Sequence, residues 1–216
     1  MKNVRIINNP VICQSLATIR NKNTDSQGFR IAARKITRVL LYEASKNLPM
    51  VDKEIETSIT KCCVKDIADD ISIIISPILR AGLIFTDEAI DILPNACIRH
   101  IGMYRDEETL KPIWYYNKVP MTIPNPEKTF VYITDPMLAT GNTMLEAVRL
   151  YAERQIPIKN IKSLNIISAP EGIELLNKEF PDLEIITAAI DEKLNEKGYI
   201  IPGLGDAGDR IFNTAV

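Results

Sequence analysis

The sequence predicts an α/β fold, a parallel sheet flanked by helices, on two observations. Short apolar runs at Ser72 to Ser76, Thr129 to Thr134, Ser163 to Ile167 and Leu183 to Ala189 have the continuous hydrophobicity of strands buried on both faces. Helical patterns of roughly ten residues fall between or beside them, at Ile84 to Leu93, Met144 to Arg154 and Gly172 to Phe180; that alternation builds parallel sheets.

Taken in order, the chain opens with helical patterning through Leu16, Ile19 and Arg20, followed by a polar break from Asn21 to Ser26. A longer amphipathic stretch runs from Phe29 through Ile36, Leu40 and Ala44 and ends at Leu48-Pro49, as helices end before proline. The first apolar run is closed by Pro77 and the second by Asp135-Pro136. Cys97 to Met103 reads as a further strand, with the sole histidine, His100, inside it. Residues 105–128 are charged and Pro-rich around Trp114-Tyr115-Tyr116. They read as a hairpin or mobile flap, the aromatic triplet serving either the flap or simple packing.

The 216 residues carry 26 Lys plus Arg against 28 Asp plus Glu, a net charge of -2. That balance argues against a general nucleic-acid coat. No apolar run reaches the roughly 18 residues of a membrane span, and the first residues have no signal-peptide core. Cys13, Cys62, Cys63 and Cys97 form no C-x-x-C pair, so they read as reduced thiols. These features fit a soluble cytoplasmic protein.

In an open parallel sheet, ligands bind beyond the carboxyl ends of the strands. After the Thr129 run come Asp135, Pro136, Met137, Leu138, Ala139, Thr140, Gly141, Asn142 and Thr143, then a helix. Hydroxyls and free N–H groups at a helix N-terminus suit a phosphate, and Asp135 at the strand tip suits sugar hydroxyls. The same pattern also makes a plain capped turn. It is not a Walker loop, because no Gly-Lys pair follows. After the Ser72 run, Pro77 to Gly82 presents Arg80, and beyond Met103 comes Arg105. Arginine grips phosphate oxygens bidentately, so two of them suggest a ligand with more than one phosphate. Gly203, Gly205 and Gly208 spell G-x-G-x-x-G, but only eight residues follow Gly208, too few for a dinucleotide-binding βαβ unit. A Gly-dense loop is costly in folding entropy and reads as backbone wrapped around a small ligand.

Together these segments resemble the uracil phosphoribosyltransferase family. Asp135 to Gly141 resembles its phosphoribosyl-diphosphate (PRPP) motif, Pro77 to Leu83 and Tyr104 to Leu110 match its arginine segments, and Ala169 to Gly172 and Gly198 to Phe212 match further motifs. The similarity runs from about Val11 to Thr214. It implies one type I phosphoribosyltransferase domain over 1–216, with a helical arm (1–50), a flap (103–128) and a uracil-binding hood (190–216). It also implies PRPP contacts from Arg80, Arg105, the Asp135 to Thr143 turn and Asp206, with Arg80, Arg105, Asp135 and Asp206 in the catalytic set. Uracil contacts are implied for Ile200, Gly205, Asp206 and Ala207. Mg²⁺ would arrive mainly on the PRPP diphosphate, with no dedicated protein metal cage. The resemblance further implies a homodimer or homotetramer, GTP as a candidate effector, and neither nucleic-acid nor membrane partners. An RNA-binding regulator on the same fold would need a basic surface, which the charge balance weighs against. An enzyme taking a purine base is disfavoured by the C-terminal loop. The sequence departs from the family's Gly-Gly-Ser at Gly141-Asn142-Thr143 and from its Phe-Gly-Thr at Phe212-Asn213-Thr214. Asn is the next-best residue where a positive φ is required.

Overall fold

The computed structural model describes residues 3–105 and 112–214, and of Arg105 the backbone alone. Strand β1 (Val4–Ile6) leads into helix α1 (Pro10–Arg20), where Asn9 accepts the Ile12 N–H at 2.9 Å and Pro10 takes the first position. The predicted polar break supplies the next cap: Asp25 accepts the Gly28 N–H at 2.7 Å and starts α2 (Ser26–Ser45). Side-chain acceptors of this kind satisfy donors that the first helical turn leaves open.

Strands β2 (Met50–Glu56) and β3 (Lys61–Ile67) then form an antiparallel hairpin with its own small sheet. No strand was expected there. Every residue of β2 is exposed, and its charges do not mark out a face.

The main sheet is built from the predicted apolar runs. Strand β4 (Ser72–Leu79) extends past Pro77, although proline was expected to close it. Ile75 accepts the Arg99 N–H, and the β5 pairing ends at Ile75 while the β6 pairing begins at Ile78. Backbone groups two residues apart face the same way, so the donor that Pro77 lacks falls in that gap. A 3₁₀ turn (Ala81–Phe85) and α3 (Thr86–Ile92) follow. The strand expected over Cys97 to Met103 is split into β5 (Cys97–Ile98) and β6 (Ile101–Arg105), with His100 in the break. Strand β7 (Pro112–Asn117) turns back antiparallel on β6. Of the two readings, hairpin or mobile flap, the structure shows a hairpin, whose residues 106–111 lie outside the described ones. The aromatic triplet divides: Trp114 packs against the core, while Tyr115 and Tyr116 are exposed. Beyond it, Val119 and Ile123 return to the core.

The rest alternates as predicted: β8 (Thr129–Thr134), short β9 (Met137–Leu138), α4 (Asn142–Glu153), β10 (Ile161–Ser168), α5 (Pro170–Glu179) and β11 (Glu184–Ile190). Strands β12 (Lys193–Leu194) and β13 (Ile200–Ile201) pair antiparallel, and α6 (Ala207–Phe212) follows. The main-sheet order is β1-β11-β10-β8-β4-β6-β7, parallel throughout except for β6 with β7. All eight residues of β10 are buried, as befits a strand covered on both faces.

Two apolar clusters cover the faces. One joins α1, α2 and the 3₁₀ turn to Ile75, Tyr132, Leu164 and Ile166, and reaches Ile200, Leu204 and Ile211 near the C-terminus. The other joins α4 and α5 to Val131, Ile133 and Ile185. The first 50 residues are mainly helical as expected but not detached: β1 edges the sheet, and α1 and α2 form one of its layers. Among the described residues no helix is long and apolar enough to cross a membrane. Because Ile166 is fully buried in the central sheet, Ile166→Ala should cost about 2–5 kcal/mol of stability, read from the midpoint of a urea melt.

Candidate active site

At the carboxyl edge of β8 the chain is fastened to β10 almost residue by residue. Asp135 N–H donates to Leu164 O at 3.2 Å, and Pro136 O accepts from Ile166 and Ile167 at 2.9 and 3.0 Å. Strand β9 pairs with Ile167 and Ser168, and Ala169 N–H closes on Leu138 O at 2.8 Å. Beneath this turn, the buried Asn165 donates to Asp135 O at 2.7 Å and accepts the Ser163 hydroxyl at 2.7 Å. Ser163 and Asn165 are polar residues in a fully buried strand, and each finds its partner there, as burial demands.

Glycines set how closely the loops approach. A Cβ at Gly172 would meet Ala139 O at 2.5 Å, and one at Gly82 would meet Thr134 O at 2.5 Å. The first contact brings α5 against the turn, and the second brings the 3₁₀ turn against β8. Gly141, at φ 83°, caps α4. The positive φ thus falls at Gly141 rather than at 142. Asn142 is the first helical residue, so this departure from Gly-Gly-Ser needs no unusual backbone. The other departure does: Asn213 stands at φ 56° and terminates α6, holding the conformation that glycine adopts most readily. The first turn of α4 carries no acidic residue, so its open N–H groups and the positive end of its dipole remain available to an anion.

One cavity of about 270 Å³ gathers these parts. Asp135, Met137 to Gly141 and Thr143 line one side; Ile200, Gly205, Asp206 and Ala207 line the other. The two expected halves, a phosphate turn and a C-terminal loop, therefore face one space. Pro136 and Asn142 do not line it: Pro136 is turned to β10, and Asn142 opens the helix. Arg80 does not line it either. Its guanidinium, 56% exposed, reaches Asp209 at 3.3 Å and lies 5.9 Å from the Phe212 ring. The side chain of Arg105 lies outside the described residues, although its backbone ends β6. Ala81, Met144, Gly198, Tyr199 and Gly208 also line the cavity and were not singled out as site residues. Gly198, Tyr199 and Gly208 belong to the C-terminal segment already marked by its glycines, and Ala81 to the marked segment from Pro77 to Gly82, whereas nothing in the sequence distinguishes Met144.

Withdrawal from water pushes the Asp135 carboxyl up to about 7; the Met137 N–H opposes this, and the nearby Asp206 charge adds to it. Among the described residues no group of three or more His, Cys, Asp or Glu is placed to hold a metal ion.

A profile described as uracil phosphoribosyltransferase matches residues 6–214. Proteins named uracil phosphoribosyltransferase from Lachnoclostridium phytofermentans and Lactococcus lactis are 44% and 45% identical, each over 99% of this chain and 100% of theirs. The solved structure of the AQ2163 protein from Aquifex aeolicus superposes with a TM-score of 0.89 at 38% identity, covering 99% of both chains. The adenine phosphoribosyltransferase of Trypanosoma brucei shares the fold at a TM-score of 0.56 and 13% identity, over 95% of this chain and 89% of its own. The architecture is that of the type I phosphoribosyltransferases. Within that class, the chain belongs to the uracil phosphoribosyltransferase family.

The raised Asp135 pKa carries a sign. Between the ordinary carboxyl value of 3.8 and about 7, the folded chain keeps a proton that the unfolded chain has released. Stability is therefore lost as pH rises through that window. The wild-type Tm should fall relative to that of Asp135→Asn between those pH values. A constant difference across the window would show that Asp135 titrates normally.

Proposed function

We propose that the chain performs its family's reaction in this cavity: the phosphoribosyl group of PRPP passes to uracil, giving UMP and diphosphate. The carrying observation is that the turn after β8 and the loop from Gly198 to Gly208 line a single space. A phosphorylated sugar and a flat base can be held there side by side.

The 5′-phosphate would sit at the first turn of α4, where N–H groups converge and no acid competes. The ribose hydroxyls would donate to the Asp135 carboxylate at the strand tip. Uracil would lie against the C-terminal loop, its O2, N3–H and O4 read by backbone groups at Ile200, Gly205 and Ala207. A site whose backbone pairs each edge atom rejects a base that leaves one unpaired. In the reaction the N1–C1′ bond forms as the bond from C1′ to diphosphate breaks, and the uracil N1 proton passes to solvent. The transition state has oxocarbenium character, so negative charge grows on the departing diphosphate.

Arg80 and Arg105 would stabilise that charge. Arg80 is presented near the cavity by the close contact of Gly82 with β8. Its pairing with the partly exposed Asp209 is worth less than about 1 kcal/mol, so it can turn to a diphosphate at small cost. The carboxylates of Asp135 and Asp206, both lining the cavity, are hard oxygen donors of the kind Mg²⁺ takes alongside substrate phosphates. Asp206 is the residue that would hold the ion, and when bound it supplies positive charge against the leaving group. The family reading also carries a homodimer or homotetramer and a response to GTP.

The test is formation of UMP and diphosphate from uracil and PRPP with Mg²⁺. Diphosphate release with another base and none with uracil would overturn the substrate. Arg80→Ala and Arg105→Ala should each lower kcat/KM for PRPP on the order of 100-fold, with little change in Tm. A fallen Tm with an unchanged rate would mark a structural arginine instead.

A further inference from the structure

The C-terminal loop is held at one point by more than packing. Asp191 follows β11 and is only 8% exposed. Its Oδ2 accepts the Gly203 N–H at 2.8 Å. Arg20, the last residue of α1, grips the same carboxylate with both terminal nitrogens: Nη1 donates to Oδ2 at 2.8 Å and Nη2 to Oδ1 at 2.5 Å. Arg20 Nη1 also donates to Gly203 O at 2.8 Å. The ion pair therefore holds both backbone polar groups of one residue. That residue has little freedom of its own. Gly203 stands at φ 61°, and a Cβ there would meet Ile200 O at 2.2 Å.

Neither Arg20 nor Asp191 lines the cavity. Gly205 lies two residues beyond Gly203, and Ala207 four. We infer that the Arg20–Asp191 pair is the positioning device of the base-reading loop. By fixing the peptide groups of Gly203, it sets where the backbone of Gly205 and Ala207 stands, and so which base edge is accepted. This rests on the reading of that loop as the uracil site.

Attachment alone does not require the pair. The loop is separately anchored by Arg210, whose Nη1 donates to Leu204 O at 2.9 Å and Nη2 to Asn21 O at 2.8 Å, with its guanidinium 4.5 Å from the Phe29 ring centre. Ile200, Leu204, Ala207 and Ile211 also pack into the core. What the pair adds is orientation, through a planar bidentate fork that a lysine cannot reproduce.

The experiment compares Asp191→Asn and Arg20→Lys with the wild type. It measures KM for uracil and for PRPP, selectivity for uracil over cytosine, and Tm. Displacing a positioning contact by about 1 Å costs on the order of 100-fold. KM for uracil should accordingly rise by at least about tenfold in Asp191→Asn, with reduced selectivity and a smaller rise in KM for PRPP, whose ion Asp206 of the same loop would hold. Arg20→Lys keeps the charge without the fork and should fall between the wild type and Asp191→Asn. It carries the test alone if Asp191→Asn does not fold. Equal rises in both KM values, or a lowered Tm with both unchanged, would overturn the inference. Amide hydrogen exchange of the wild type with and without uracil separates the two readings. Without protection over 203–207, the loop is not the base site and both fail. Protection there with unmoved uracil KM in both variants overturns the positioning role alone.

Discussion

The site depends on the seating of β8 between β4 and β10. Parallel pairing on both sides, with helices over both faces, leaves that strand no freedom to slide, and Asp135 emerges from its end at a fixed height. The chain then stays on β10 through Pro136, β9 and Ala169 before turning into α4. The N–H groups that suit a phosphate are thus placed by the sheet rather than by the loop's own preferences. Two glycine contacts complete the arrangement. Gly172 admits the carbonyl of Ala139, and Gly82 admits that of Thr134. In both places a side chain would push one loop off the other.

Buried polar groups do much of the fine placement. Ser163 and Asn165 pass a hydrogen-bond chain to the Asp135 carbonyl, and Asp191 collects Gly203 and Arg20. Such groups are stable inside a protein only when partnered, and each of these is. The turn that carries Asp135 and the loop that carries Gly205 are thus held from behind by Asn165 and Asp191, which do not themselves line the cavity.

The central strands were legible because burial on both faces leaves a continuous apolar run, and the helices because their one-sided burial leaves a period near 3.6. The phosphate turn was legible as a strand tip followed by Thr, Gly and a helix. The β2–β3 hairpin was not, since a ribbon without a buried face writes no pattern. Nor was the break at Arg99 and His100, which comes from bonds to Ile75 and Ser76 on a neighbouring strand. Arg20 and Asp191 are 171 residues apart. In sequence each is one charged residue among many, and only the fold brings them together on Gly203.

The pairing of β1 with β11 has a consequence for how the protein is made. Val4 to Ile6 are synthesised well before their partners, Ile185 to Thr187. Until those partners emerge, that edge segment has nothing to join. Loop closure over such a span is slow, and unpaired strands invite association with other nascent chains.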